Sequence, residues 1–92
     1  MAEMLRVRAA LLAARGADPA AVEGAYQAAL AAARRDGTRL FERRAATGLA
    51  RLLSARGRAD EARALLAPLH ASFGEGFDLV DYRDAESVLA SL

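Results

Sequence analysis

The sequence predicts an all-α protein made of antiparallel helix pairs, and three observations predict it. Alanine is the commonest residue, and it is the best helix former because it loses no side-chain entropy. Apolar residues recur at three- and four-residue steps, the spacing that gathers them on one face of a helix. Glycines at 16, 37, 57, 74 and 76 cut the chain into segments of helix length, with no sustained period-two alternation to suggest a strand.

The first segment, 3–15, carries Met4, Leu5, Leu11 and Leu12 as an apolar stripe and stops at Gly16. Asp18-Pro19 restarts the chain as a helix. The Asp18 carboxylate can accept from orphan N–H groups, and Pro19 suits the first helical position. Val22, Ala25, Tyr26, Ala29, Leu30 and Ala33 form the buried face, and Asp36-Gly37 ends it. So short a link makes these first two helices antiparallel.

Thr38 is the expected N-cap of a third helix whose apolar face is Phe41, Ala45, Leu49, Leu52 and Leu53. Gly48 within it allows a neighbour to approach closely. Gly57 stops this helix and a fourth follows, with Ala62, Leu65, Leu66, Leu69 and Phe73 inward. Pro68 removes one helical hydrogen bond, so a bend or an early end is expected there. After Gly74-Glu75-Gly76, Asp78 opens a last helix with Tyr82, Ala85, Leu89 and Leu92 on its apolar face. The expected core is Leu12, Tyr26, Leu30, Phe41, Leu49, Leu52, Leu53, Ala62, Leu65, Leu66, Leu69, Phe73 and Leu89.

At 92 residues the chain is one small domain, 1–92, that buries roughly 60–70% of its unfolded surface. It divides into a first helix pair (3–36), a second pair (38–73) and a capping helix (79–91). Cysteine is absent, which removes disulfides, thiolate chemistry and Cys-based metal sites. No apolar run is long enough to span a membrane, and charged residues interrupt the first apolar stretch, unlike a signal peptide. The expected location is the cytoplasm.

Charge is uneven although the net value is only +1. Residues 34–63 hold nine Arg against four acidic residues, whereas 75–92 hold five acidic residues against Arg83. Packing the last helix near the third would neutralise both. Arg without any Lys is the mark of a GC-rich codon bias before it is a sign of nucleic-acid binding, and no aromatic residues interleave the Arg for base stacking.

VEGAYQAAL (22–30) and EARALLAPL (61–69) are each the second helix of a pair, with Tyr26 and Leu66 at matching places about 40 residues apart. The hairpin at Gly57 resembles a tetratricopeptide repeat. That motif of about 34 residues uses small residues for helix contact and Gly for the turn. Its places are held here by Leu49-Ala50, Leu53, Gly57, Glu61-Ala62, Leu66 and Leu69. Ala46 stands where the motif favours Trp, Leu69 where it favours Ala, and Gly74 where it has Pro. The resemblance implies a short right-handed solenoid.

More narrowly, the run from Arg44 to Leu92, with its EGFD turn (Glu75 to Asp78), and MLRVRAALLAARG near the start are similar to the C-terminal repeat region of bacterial signalling proteins. Those proteins carry a class III nucleotide cyclase or a DNA-binding domain and a predicted STAND-type ATPase. Neither a phosphate loop nor paired cyclase carboxylates occur in this chain, so the resemblance implies no catalytic residue. It implies a non-catalytic protein–protein interaction or scaffold module of a signalling or transcriptional regulator.

Within the repeat motif, Arg44, Thr47 and Arg51 from the third helix and Arg6 from the first face a concave groove. Guanidiniums on one face can hold an acidic peptide through bidentate carboxylate contacts. The alternative is a solvated face paired with acidic neighbours. Thr47 and Arg51 do not match the Lys and Asn of a C-terminal carboxylate clamp. His70 has no partner for a triad or zinc site, and Asp78, Asp81, Asp84 and Glu86 lack EF-hand spacing. No cofactor, metal or catalytic site is expected.

Met4, Leu5 and Leu11 leave an apolar edge on the first helix, through which the chain is expected to self-associate. The rival reading is an independent four- or five-helix bundle acting as a dimeric adaptor or small-ligand-binding domain.

Overall fold

Three turns of one design set the architecture. Gly16, Gly37 and Gly57 each have a left-handed backbone, with φ of 72°, 71° and 77°. In each turn the residue after the glycine donates its N–H back across the helix end: Ala17 to the Leu12 carbonyl, Thr38 to Ala33 and Arg58 to Leu53, at 3.0, 3.0 and 2.8 Å. This is the Schellman arrangement, and a Cβ at the left-handed position would be strained. Each turn reverses the chain within a few residues.

The helices that result are α1 (Ala2–Ala14), α2 (Pro19–Asp36), α3 (Arg39–Ala55), α4 (Ala59–Ala71) and α5 (Leu79–Ala90). The computed structural model describes the backbone of residues 2–71 and 79–92, and the side chains of 3–69 and 83–92. Phe73, the EGFD turn, and the side chains of His70, Asp78, Asp81 and Tyr82 lie outside the described residues. The protein is all-α, and no strand occurs among the described residues. Nor is any described helix long and apolar enough to cross a membrane.

Asp18 caps α2 as its position requires: its Oδ1 accepts from the Ala20 N–H at 3.3 Å, with Pro19 in the first turn. Thr38 departs from its expected role. Its side chain does not cap α3, and its hydroxyl donates to the Ala33 carbonyl at 3.3 Å. The Schellman turn already folds Thr38 over the Ala33 carbonyl, which accepts its N–H as well, so Thr38 finishes the helix behind it. Pro68 does not end α4, which continues to Ala71. Pro68 and Ala64 are both exposed, so the carbonyl that Pro68 leaves without its helical donor belongs to a residue at the water.

Packing follows chain order. α1 lies on α2, α2 on α3, α3 on α4 and α4 on α5; beyond these neighbours only α1 with α3 and α3 with α5 touch among the described residues. The thinnest dimension is 19 Å, about two helix layers. α3 sits at the centre, and α5 lies against it as the charge balance anticipates.

More than half of the buried apolar residues are alanines, and they let the helices approach closely. Leu66 and Val22 are the largest side chains that are fully enclosed. Tyr26, Leu30, Leu49, Leu53 and Ala62 are buried as expected. Leu12, Leu52, Leu65, Leu69 and Leu89 are only partly buried around that core, and Phe41 packs at a separate small cluster with Ala32 and Ala33. With so few elements, every helix keeps one side in water, and the outer Leu residues end at its rim. Ala9 and Val88 are core residues missing from the expected set, and Val22, expected on the inward face of α2, is fully enclosed.

Tyr26 crosses α3 at Gly48. A Cβ built on Gly48 would lie 2.4 Å from Tyr26 Cε1 and 2.7 Å from Cζ. The close approach expected at this glycine is therefore made by the Tyr26 ring. The apolar stripe expected on α1 divides into two. Ala9, Leu5 and Leu12 turn inward, while Met4, Val7 and Leu11 are 74, 42 and 59% exposed.

Candidate functional site

A helix brings residues three and four apart onto one face, and α3 accordingly presents Arg44, Thr47 and Arg51 together. α1 packs beside α3 and adds Arg6. The four residues, with Asp84 from α5, line one open depression of about 240 Å³. These are the four residues expected to face one groove, of which helical spacing alone groups Arg44, Thr47 and Arg51; Asp84 joins them because α5 folds back onto α3.

Glu3 organises the cationic side of this depression. Its two carboxylate oxygens each accept from one guanidinium: Oε1 from Arg6 Nε at 2.6 Å and Oε2 from Arg44 Nη1 at 2.7 Å. All three side chains are about 70% buried, so the pairs are screened less than surface ion pairs. Burial by itself would raise the Glu3 carboxyl. The hydrogen bonds and charges of Arg6 and Arg44 outweigh it and hold the carboxyl below its ordinary value. The Arg44 guanidinium also lies 5.8 Å from the centre of the Phe41 ring, within cation–π range. Arg6 and Arg44 are thus held in place before anything binds.

The other two residues differ from them. The Thr47 hydroxyl donates to the Arg43 carbonyl one turn back at 2.8 Å, and Thr47 is buried. Its proton is committed, so Thr47 supplies floor and one acceptor oxygen. Arg51 is more than half exposed and faces Asp84 across 3.9 Å, with Asp84 half exposed. That pair is long and solvated, so it contributes little energy and can open. Among the described residues, three guanidiniums meet here with the carboxylates of Glu3 and Asp84.

A second charged cluster lies at the Gly57 turn. Glu23 of α2 accepts from Arg56 at 2.8 Å and from Arg58 at 2.6 Å, and Arg58 also pairs with Glu61. The hydrogen bond to Arg58 and its charge lower Glu61, against the opposing effect of desolvation. Glu61 and then Glu23 raise Arg58 further. This cluster ties the turn of the second helix pair to the first pair. Glu23 and Arg58 lie 35 positions apart, which is why spacing along one helix does not reveal the cluster. The same holds for Glu3, which meets Arg44 across 41 positions.

Among the described residues no group of carboxylates and imidazoles gathers as a metal site. Asp84 faces Arg51, and Glu86 is exposed on α5. The chain matches no known family model, no characterised protein and no solved structure.

Proposed function

We propose that this chain is a non-catalytic interaction module, a short solenoid of the tetratricopeptide type, whose groove between α1, α3 and α5 takes an acidic, extended peptide segment of a partner protein. The observation that carries the reading is the convergence of Arg6, Arg44, Thr47 and Arg51 on one open depression. An extended acidic segment would meet Arg6 and Arg44, already oriented by Glu3. One of its carboxylates would replace Asp84 at Arg51 and make a bidentate contact, where Asp84 brings one oxygen no nearer than 3.9 Å.

The packing order supports the solenoid. Among the described residues α3 touches both α1 and α5, whereas α2 does not touch α4 and α1 does not reach α4. A repeat array lines its groove with the first helix of each pair and needs no closure; a closed bundle would return its fourth helix to its first. The sequence resemblance adds the setting: a repeat region of a larger cytoplasmic bacterial signalling or transcriptional regulator.

Fluorescence anisotropy with a labelled peptide rich in Asp and Glu tests the groove. The acidic peptide binds the full chain at least about tenfold more tightly than a neutral peptide of equal length. Added salt weakens it, and Arg51→Glu removes the preference. Equal binding of both peptides, or an unchanged preference in Arg51→Glu, would refute the reading.

A further inference from the structure

We propose that the exposed face of α1 is a self-association seam, on which a second copy of this chain lays its own α1 in parallel. Met4, Val7, Leu11 and Ala14 are all exposed, and they follow one another at steps of three, four and three. That is the a/d spacing of a two-stranded coiled coil, in which each apolar side chain enters a hole on a facing helix. The same surface forms an open apolar depression of about 330 Å³ lined by Glu3, Met4, Val7, Arg8 and Leu11.

Comparison of α1 with α3 shows what this face is built for. Aligning Gly16 with Gly57 places Ala9 on Ala50, both fully buried, and Leu12 on Leu53. It also places Val7 on Gly48 and Met4 on Ala45. Gly48 lies under Tyr26 of α2, and Ala45 is buried. The face of α3 that a helix covers closely, over small residues, thus carries bulky side chains on α1. Bulky residues at a/d spacing suit interdigitation with a like helix.

Charge selects the orientation. With Met4 and Leu11 at a and Val7 and Ala14 at d, Glu3 occupies g, and Arg8 and Arg15 occupy e. In a parallel pair, g faces the e position five residues on in the other helix, so Glu3 meets Arg8 of the second copy twice by symmetry. In an antiparallel pair e faces e, and arginines meet arginines. Glu3 already accepts from Arg6 and Arg44, yet a carboxylate has about four acceptor sites and room for another donor. Three apolar side chains and an alanine fall well below the ~800 Å² per partner of a standard interface, so the dimer is reversible and concentration-dependent.

Analytical ultracentrifugation of the full chain over a wide concentration range tests this, with circular dichroism checking that each variant folds. The chain shifts from monomer to dimer as concentration rises, and Leu11→Glu abolishes the shift without changing the melt of the monomer. Arg8→Glu weakens a parallel dimer, by placing it against Glu3, and strengthens an antiparallel one. Met4→Cys, the sole cysteine in its chain, forms a disulfide dimer on oxidation only if the two helices run parallel. A monomer at every concentration, a dimer indifferent to Leu11→Glu, or an Arg8→Glu variant that associates more tightly overturns the proposal.

Discussion

Replacing Gly48 with alanine sets two effects of similar size against each other. In a helix interior, alanine is favoured over glycine by about 1 kcal/mol. Here the new methyl would lie 2.4 Å from Tyr26 Cε1, 2.7 Å from Cζ and 2.9 Å from the hydroxyl oxygen. Good carbon–carbon contact needs about 3.5–4.0 Å, so the ring must move by roughly an ångström. Overpacking of this kind costs about 1–3 kcal/mol. The net expectation is a loss of about 1 kcal/mol, and a fall of about 4–8 °C in Tm for a domain of this size. Tyr26→Leu removes all three clashing atoms. In that background Gly48→Ala becomes stabilising, by up to about 1 kcal/mol. Urea denaturation of the four proteins measures the cycle, and the sign change is the critical result. Equal effects of Gly48→Ala in both backgrounds would refute the claim that the Tyr26 ring dictates this glycine.

Other perturbations have equally definite outcomes. Leu66→Ala, at a fully buried site, destabilises by about 2–5 kcal/mol, measurable by urea denaturation. Asp18→Ala loses the α2 cap and costs about 1 kcal/mol in the same assay. Gly57→Ala forces a Cβ into a left-handed backbone and costs about 1–2 kcal/mol. Glu3 has its folded pKa lowered, so its contribution to stability is fully present above its unfolded value of about 4.3. That contribution is lost as pH falls through the lower folded value. Thermal melts between pH 6 and about pH 3 therefore decline on the acid side, and Glu3→Gln flattens part of that decline.

What was legible in the sequence is what is settled within a few residues. Gly16, Gly37 and Gly57 mark turns whose backbone only glycine adopts easily, and Asp18-Pro19 carries its own cap. Arg44, Thr47 and Arg51 share a face because helical spacing alone puts them there. Thr38 was misread because a threonine between two helices has acceptors on one side and donors on the other, and turn geometry chooses between them. Met4 and Leu5 are neighbours in sequence and alike in hydropathy. Only the placement of α2 and α3 decides that Leu5 turns inward and Met4 outward. Glu3 and Asp84 escaped notice as groove residues because they come from helices at opposite ends of the chain.

The order of packing along the chain also bears on how the molecule opens. Because no described contact joins elements more than two apart, the ends can detach without dismantling the middle. α3 touches every other helix, so its amides should exchange with deuterium most slowly, while those of α1 and α5 exchange through partial openings. Contacts this local in sequence favour rapid folding. A partner that spans α1, α3 and α5 would fasten both loose ends to the centre, and slowed exchange in the terminal helices would record its arrival.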